Sequence, residues 1–488
     1  MRRLLIVSNP KNWKLRIPGV ELVGAQDYLG KPEQFTGAGI RVYNLCRSYR
    51  YQTQGYYISL LAEARGHRPL PNVTTIQDLK NRSLIRFYSD ELEDLIQKSL
   101  AHLQAKEFQL SIYFGRNVAK RYDRLAHALF NVFPAPLLRA EFVHGKEGWE
   151  MRRIGVISEN EIPDTHHDFL NEAADRYFRR QPRPKKQQGA RYDLAILYDP
   201  EEDPPTSDLR ALKAFIKAGA KLGLAAELIT KDDYGSLAEF DALFIRETTS
   251  VKNHTFRFSR RATAEGLVVI DDPESILKCM NKVYLAELMQ RHKIRTPKTM
   301  VVHWDNAERV LEEMGLPCVL KQPDSAFSQG VVKAKTPEEL KHEIERLLDS
   351  SELIIAQEFL PTDFDWRIGV LDQKPLYACK YFMARSHWQI YNHEKKGAAF
   401  SGEATTLAIE DVPAKVVDTA VKAANLIGDG LYGVDLKEVG GKVYVIEVND
   451  NPSIEHNIED EVIGEELYLR IMQSFLERIE KKRGRTQS

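Results

Sequence analysis

The stretch Gly433-Val-Asp-Leu-Lys-Glu438, followed by Val445-Ile-Glu-Val-Asn-Asp-Asn-Pro452, decides the fold of this chain. Residues 432–438 and 442–448 are apolar-rich and β-branched, and Gly440-Gly441 between them is a hairpin signal, so the two segments are expected to pair antiparallel. Glu447 and Asn449 lie two apart and share a face. The side taken by Asp435 depends on the turn. A two-residue Gly440-Gly441 loop sets Val439 opposite Lys442 and puts Asp435 on the far face, whereas a longer or bulged connection returns it to the face of Glu447. If all three side chains bind one metal, that second arrangement is required. Carboxylate and amide oxygens are hard ligands, suited to magnesium that also grips a nucleotide's phosphates and keeps some of its own water. A solvated polar face on an edge hairpin would give the same letters.

Outward from this hairpin, the second half of the chain alternates between strand and helix patterns. Strands are expected near 301–302, 318–320, 331–332, 353–356, 366–371 and 376–382, and helices over 307–314, 337–348, 413–427 and 464–480. A single long helix is expected from Pro273 to a stop at Pro297, through Ile276, Leu277, Met280, Val283, Tyr284, Leu288 and Met289. Upstream, 192–198, 225–229, 242–245 and 267–270 read as short buried strands. Thr206-Ser-Asp208 offers N-caps for a helix with Leu209, Leu212, Phe215, Ile216 and Leu222 on one face. This is an α/β segment followed by α+β subdomains.

At 488 residues the chain should hold about three domains. Hydrophobic content of 43% and charged content of 28% describe a globular protein, and a net charge of −1 provides no global field to recruit nucleic acid or a membrane. Cys46, Cys279, Cys318 and Cys379 are far apart and form no CxxC pair, which argues for packing roles in a reducing compartment. The opening Met1-Arg-Arg-Leu-Leu-Ile-Val-Ser8 is too short for a signal peptide or span and reads as a strand, so cytoplasmic residence is expected. The run from Arg179 to Gly189 carries two prolines and no apolar residue, and reads as a linker. The resulting division is an N-terminal α/β domain over 1–180, a linker over 181–190, an α/β domain over 191–275 and a final domain over 276–488. No internal repeat is evident. Residues 41–57 interleave arginines with tyrosines, a pattern that could grip phosphates, stack on a base or bind an acidic chain; the plainer expectation is a helix that buries Tyr43, Leu45, Tyr56, Ile58 and Leu61.

Four motifs in order make residues 190–475 resemble the ATP-grasp superfamily, and most closely the ribosomal-protein-S6 modification type of glutamate ligase. Ile245-Arg-Glu-Thr-Thr249 and Ala264 to Lys282 resemble that family's pre-grasp domain ending in a phosphate lysine, Lys282. Pro317 to Val332 resembles the strand with a second lysine, Lys321, and a phosphate-covering loop. This loop has one glycine, Gly330, and would rely on Ser325 and Ser328. Ala356 to Leu360 resembles the hinge whose backbone, at Glu358 and Phe359, reads adenine. Asp365 and Arg367 match an Asp-x-Arg whose aspartate lies near the ribose and whose arginine lies near the transferred phosphate. Asn392 matches the family's asparagine, but Ile390 stands where an arginine is usual, so either Arg385 or Lys380 substitutes or the acyl substrate differs. The last motif is the hairpin, with Asp435, Glu447, Asn449 and Pro452. The resemblance implies an ATP-grasp fold of two α+β subdomains behind a pre-grasp α/β domain. It also implies an ADP-forming carboxylate–amine ligase using ATP and magnesium, or manganese. The amide would join an amino acid such as glutamate to a carboxylate or peptide acceptor through an acyl phosphate. A kinase and a nucleotide-binding regulator are the competing readings. The extra N-terminal domain would recognise the acceptor or mediate homo-oligomer assembly.

Overall fold

The computed structural model describes residues 2–484 except 12, 14–16, 38–39, 147, 180–189, 325–329 and 384–401. The expected linker therefore falls almost wholly outside the described residues, as do Ser325, Ser328, Arg385, Ile390 and Asn392. The chain forms two compact units, Met1–Lys185 and Lys186–Ser488. All four cysteines are free and buried. No helix among the described residues is long and apolar enough to cross a membrane.

The N-terminal unit opens with four strands, β1 (Arg3–Val7), β2 (Glu21–Gly24), β3 (Arg41–Asn44) and β4 (Arg68–Leu70), all parallel in the order β2-β1-β3-β4. An antiparallel sheet follows, β5 (Glu107–Tyr113), β6 (Leu137–His144) and β7 (Trp149–Val156), in that order. The Arg41–Tyr57 stretch is not one helix. Tyr43 and Leu45 belong to β3 and its exit, and the helix begins only at Gln54. The β-branched and aromatic run at 42–43 sits between parallel partners, where tertiary pairing overrides the helical spacing.

In the second unit, β8 (Tyr192–Leu197), β9 (Leu224–Ile229), β10 (Ala242–Ile245) and β11 (Val268–Ile270) form a parallel sheet ordered β11-β10-β8-β9. Asp208 caps the helix Leu209–Lys221 by accepting from the Ala211 amide at 3.0 Å. Its apolar face begins at Leu212, because Leu209 is 60% exposed. Two antiparallel sheets follow. The first, β12 (Thr299–Val302), β13 (Cys318–Lys321), β14 (Val331–Ala334) and β15 (Ile354–Glu358), is ordered β12-β15-β13-β14. The second contains β16 (Phe364–Leu371), β17 (Lys374–Phe382), β18 (Ala404–Leu407), β19 (Leu431–Val439) and β20 (Lys442–Asp450), ordered β18-β17-β16-β19-β20. The expected long helix after Pro273 is two helices, Pro273–Met280 and Lys282–Arg291. Asn281 breaks between them with an extended backbone and caps the second through the Tyr284 amide. The break makes Lys282 the first residue of a helix.

The internal repeat that sequence reading did not find is present. The two parallel sheets have the same strand order, and the helices after them coincide at a spacing of 200 residues. Gln54–Ala64 matches His254–Ala264, and Arg82–Glu91 matches Lys282–Arg291. The Ser59 hydroxyl donates to the Pro71 carbonyl at 2.6 Å, and Ser259 donates to Asp271 at 2.7 Å. His67 and Leu267 amides donate to Ala62 and Ala262 carbonyls, each at 2.8 Å. Gly66 and Gly266 close the two helices with φ of 70° and 75°. Asn72 and Asp272, then Asn81 and Asn281, cap the helices that follow. Only six of the 31 aligned positions from 54 to 84 are identical, so the likeness lies in caps, turns and register.

Candidate functional site

The hairpin settles the parity question by a bulge. Gly440 and Gly441, both at positive φ, make the two-residue turn with Val439 opposite Lys442. That turn alone would leave Asp435 on the wrong face. The register shifts between Asp435 and Leu436: Leu436 pairs with Val445, Asp435 with Glu447, and Gly433 with Asn449, so Ile446 is the extra residue. Val443, Val445 and Val448 enter the core while Asp435, Glu447 and Asn449 share the opposite face.

The neighbouring strand brings the counter-charges. Arg367 is opposite Asp435 and binds it with both prongs, Nε to Oδ1 at 2.6 Å and Nη2 to Oδ2 at 2.7 Å. Its third donor reaches Ser453 Oγ at 3.3 Å, and its guanidinium lies 5.1 Å from the centroid of the Tyr381 ring. Asn449 Nδ2 donates to Asp435 Oδ2 at 3.0 Å. Gly433 makes room for this: a Cβ there would stand 2.7 Å from Pro452 Cβ and 3.4 Å from Arg367 Cδ. Asp365 accepts from Lys437 and from Thr362. Burial nevertheless holds the Asp365 carboxyl above its ordinary range, against the pull of Lys437. Lys437 was quoted in the hairpin motif but given no role; its spacing of two from Asp435 is the signal that places it on this face.

Lys282, at the head of its helix, pairs with Glu447 at 2.7 Å. Lys321, at the end of β13, is buried and its ammonium is pushed down to about 8. Burial is the chief cause; Lys282 and Lys437 add to it, and Glu447 and Asp365 oppose it. Burial alone would raise the Glu447 carboxyl, but Lys282, then Lys321 and Arg367, outweigh it and hold the group below its usual range. Beside this cluster is a small cleft lined by Lys282 and Glu447 and by apolar groups including Leu285, Met289, Ile355 and Ile446.

Among the described residues no group of three or more His, Cys, Asp and Glu side chains converges as a metal cage. Two carboxylates and an amide are an incomplete shell. They fit a hard divalent cation that brings water and phosphate oxygens with it, and not a stand-alone structural ion.

Sequence reasoning missed the support behind this face. Arg246, fully buried after β10, donates to Asn451 Oδ1 at 2.7 Å, the Pro452 carbonyl at 2.8 Å, the Thr206 carbonyl at 3.0 Å and Ser207 Oγ. It ties the parallel sheet to the loop that follows Asn449. Asp271 and Asp450 are buried nearby. Burial, then Asp450, raises the Asp271 carboxyl well above its ordinary range, and Asp450 is itself pushed up to about 7, chiefly by burial.

The Glu358 amide donates to the Lys298 carbonyl at 3.0 Å, which commits that N–H to the sheet; Phe359 follows directly, its ring centroid 4.3 Å from Lys333 Nζ. One expectation is corrected. Lys380 cannot stand in for the arginine missing at Ile390. It is opposite Trp366, on the other face of the sheet from Arg367, and lies over the Phe364 and Trp366 rings.

Residues 25–173 match the RimK-like ATPgrasp N-terminal domain, and residues 279–474 match the RimK-like ATP-grasp domain, more than two-thirds of the chain between them. An alpha-aminoadipate–LysW ligase, LysX, of Sulfolobus acidocaldarius is 27% identical over 265 residues, 50% of this chain and 91% of that protein. A probable alpha-L-glutamate ligase of Vibrio vulnificus is 27% identical over 223 residues, 45% of this chain and 71% of that protein. Among solved structures, D-cycloserine synthetase DcsG aligns with a TM-score of 0.48 at 19% identity, covering 59% of this chain and 99% of that one. An ATP complex of D-alanine–D-alanine ligase from Bacillus anthracis aligns with a TM-score of 0.48 at 16% identity, covering 60% and 99%.

Proposed function

The chain belongs to the RimK-like ATP-grasp family and is an ATP-dependent carboxylate–amine ligase; from that premise we propose which of its residues do the work. Carboxylate oxygen is a poor leaving group. In the proposed sequence it attacks the γ-phosphorus of ATP, the bond to ADP breaks, and the acyl phosphate so formed gives the amine a group to displace. The new C–N bond releases phosphate. Lys282 and Lys321 hold the phosphates from two different elements, and Arg367 meets the phosphoryl group in transit. These positively charged groups are fixed before reaction, so they need little reorganisation as charge develops. Asp435, Glu447 and Asn449 would hold magnesium, which supplies neutralisation of the γ-phosphoryl oxygens when bound. Asp365 is assigned to the ribose and the apolar cleft to the adenine, with Phe359 at the hinge.

The observation that carries this reading is the convergence of Lys282, Arg367, Asp435, Glu447 and Asn449 from three separated segments onto one ion-paired face. The names of the two relatives support an acidic amino acid as one substrate; a peptide or protein is proposed as the other. The division at residue 275 between pre-grasp and ATP-grasp parts belongs to the same proposal. A mass-spectrometric screen of amino acids and peptides with ATP and magnesium tests it. An amide product with one ADP per bond is expected. A stable phosphorylated product would replace the ligase with a kinase, and ATP binding without turnover on any candidate would leave a regulator.

A further inference from the structure

The repeat shows what each copy kept and what it changed. Both retain the scaffold, down to the serine hydroxyl on the carbonyl after β4 or β11. They differ at the carboxyl ends of the strands, the edge where open α/β sheets bind ligands. Backbone register equates the two exits: the Leu45 amide donates to Ile6 and the Arg246 amide to Leu197. Thus Leu45 stands where the second copy has the Arg246 clamp, and Pro71 where it has Asp271. The N-terminal unit has no counterpart there of the Arg246 clamp that holds the loop after the hairpin in the second unit.

The same edge of the N-terminal unit carries positive charge. Arg47 and Arg50 follow β3, Lys80 precedes the capping Asn81, and Arg82 opens the next helix; all four are exposed. At the corresponding positions the second copy has Thr248, Val251, Met280 and Lys282. Lys80 Nζ donates to the Tyr49 carbonyl at 3.1 Å, which brings the helix start to the arginine loop. The loop is built. Thr53 Oγ1 donates to the Ser48 and Arg50 carbonyls, and the Gly55 amide donates to Ser48. Tyr51, 66% exposed, lies edge-on to Tyr56 beside the arginines.

We propose that this edge of the N-terminal unit, Arg47, Arg50, Lys80 and Arg82 with Tyr51, is a docking site for a carboxylate-rich peptide segment of the acceptor. Arginine forks match carboxylates and tyrosine packs on peptide, so the occupant is identified by charge complementarity. The choice of a carboxylate-rich peptide over other anions rests on the ligase reading.

Fluorescence anisotropy of a labelled hexaglutamate peptide on the full-length protein, without nucleotide, tests the site. Binding is expected to weaken by about five- to tenfold in the Arg47→Ser/Arg50→Ser variant and with added salt, while ATP binding stays unchanged. A hexaserine peptide should not bind. Failure of the wild type to bind hexaglutamate, or equal binding by the variant, overturns the proposal; so does an RNA oligonucleotide that binds more tightly through the same arginines. Because the peptide is read without ATP, a failure of ligation in the substrate screen is distinguishable from a failure here. A Lys80→Met variant, which copies the second repeat, supplies the check should the double variant misfold, and unchanged peptide binding in it counts against the site.

Discussion

Replacing Glu447 with glutamine separates metal alignment from nucleotide binding. The carboxylate now pairs with Lys282 at 2.7 Å and is held ionised by Lys282, Lys321 and Arg367. Glutamine keeps the shape and one acceptor but removes the charge. Breaking a fully buried ion pair costs about 3–5 kcal/mol. Here the Glu447 side chain is 26% exposed and a hydrogen bond to Lys282 survives, so about 1–3 kcal/mol is expected, a fall in Tm of about 2–5 °C for a unit of this size. Nucleotide binding in EDTA should hold or tighten, because phosphate would no longer compete with the carboxylate for the two lysines. Magnesium-dependent turnover should drop by at least about 100-fold, as for loss of a major electrostatic element. Calorimetric ATP binding in EDTA, a thermal melt and coupled ADP release make the three measurements. Wild-type turnover in the variant would refute the metal assignment, and an unchanged melt would refute the Lys282 pairing.

Lys321 titrates near 8 in the free protein against about 10.4 for an unfolded lysine, so its charge is unfavourable to the fold. Its contribution to stability rises as pH climbs from about 8 towards 10. Phosphate would restore the charge, so ATP binding at pH 8–9 should take up protons, read as a buffer-dependent binding enthalpy, and should weaken as pH rises; no proton uptake would count against Lys321 as a phosphate contact. Arg246→Met strips four hydrogen-bonding groups of a buried partner and should cost at least about 3 kcal/mol, seen as a lower melting temperature of the second unit. Gly433→Ala puts a methyl against Pro452 and should cost about 1–3 kcal/mol by overpacking, with slower turnover as the Arg367–Asp435 pair is displaced. A variant as stable and active as wild type would show that the loop yields freely.

Most strands of the second unit were legible because apolar runs between helices leave little choice, but the short, partly polar edge strand β18 was not; that Glu447 and Asn449 share a face followed from a period of two. Asp435 was not. Its side turned on one bulge, and nothing in Val445-Ile-Glu says which residue is extra. The break at Asn281 was hidden because apolar spacing continues through it; the cap becomes visible only when the next helix is seen to start at Lys282. Arg246 was quoted in a motif yet its role needed Asn451 and Pro452, some 200 residues on. The repeat escaped because caps and positive-φ turns carry it with few shared letters.

Ile446 lines the cleft assigned to the base, and its exclusion from the ladder as a bulge lets Asp435 stand opposite Glu447. Deleting it would also leave Leu436 opposite Val445 and Asp435 opposite Glu447, now as successive regular pairs. Alignment of the ligands would survive and contact with the base would not. In the proposed site one residue thus joins two kinds of recognition that a deletion would uncouple: the register of the strand, which sets the ligands toward the phosphates, and the contact of the bulged Ile446 with the base.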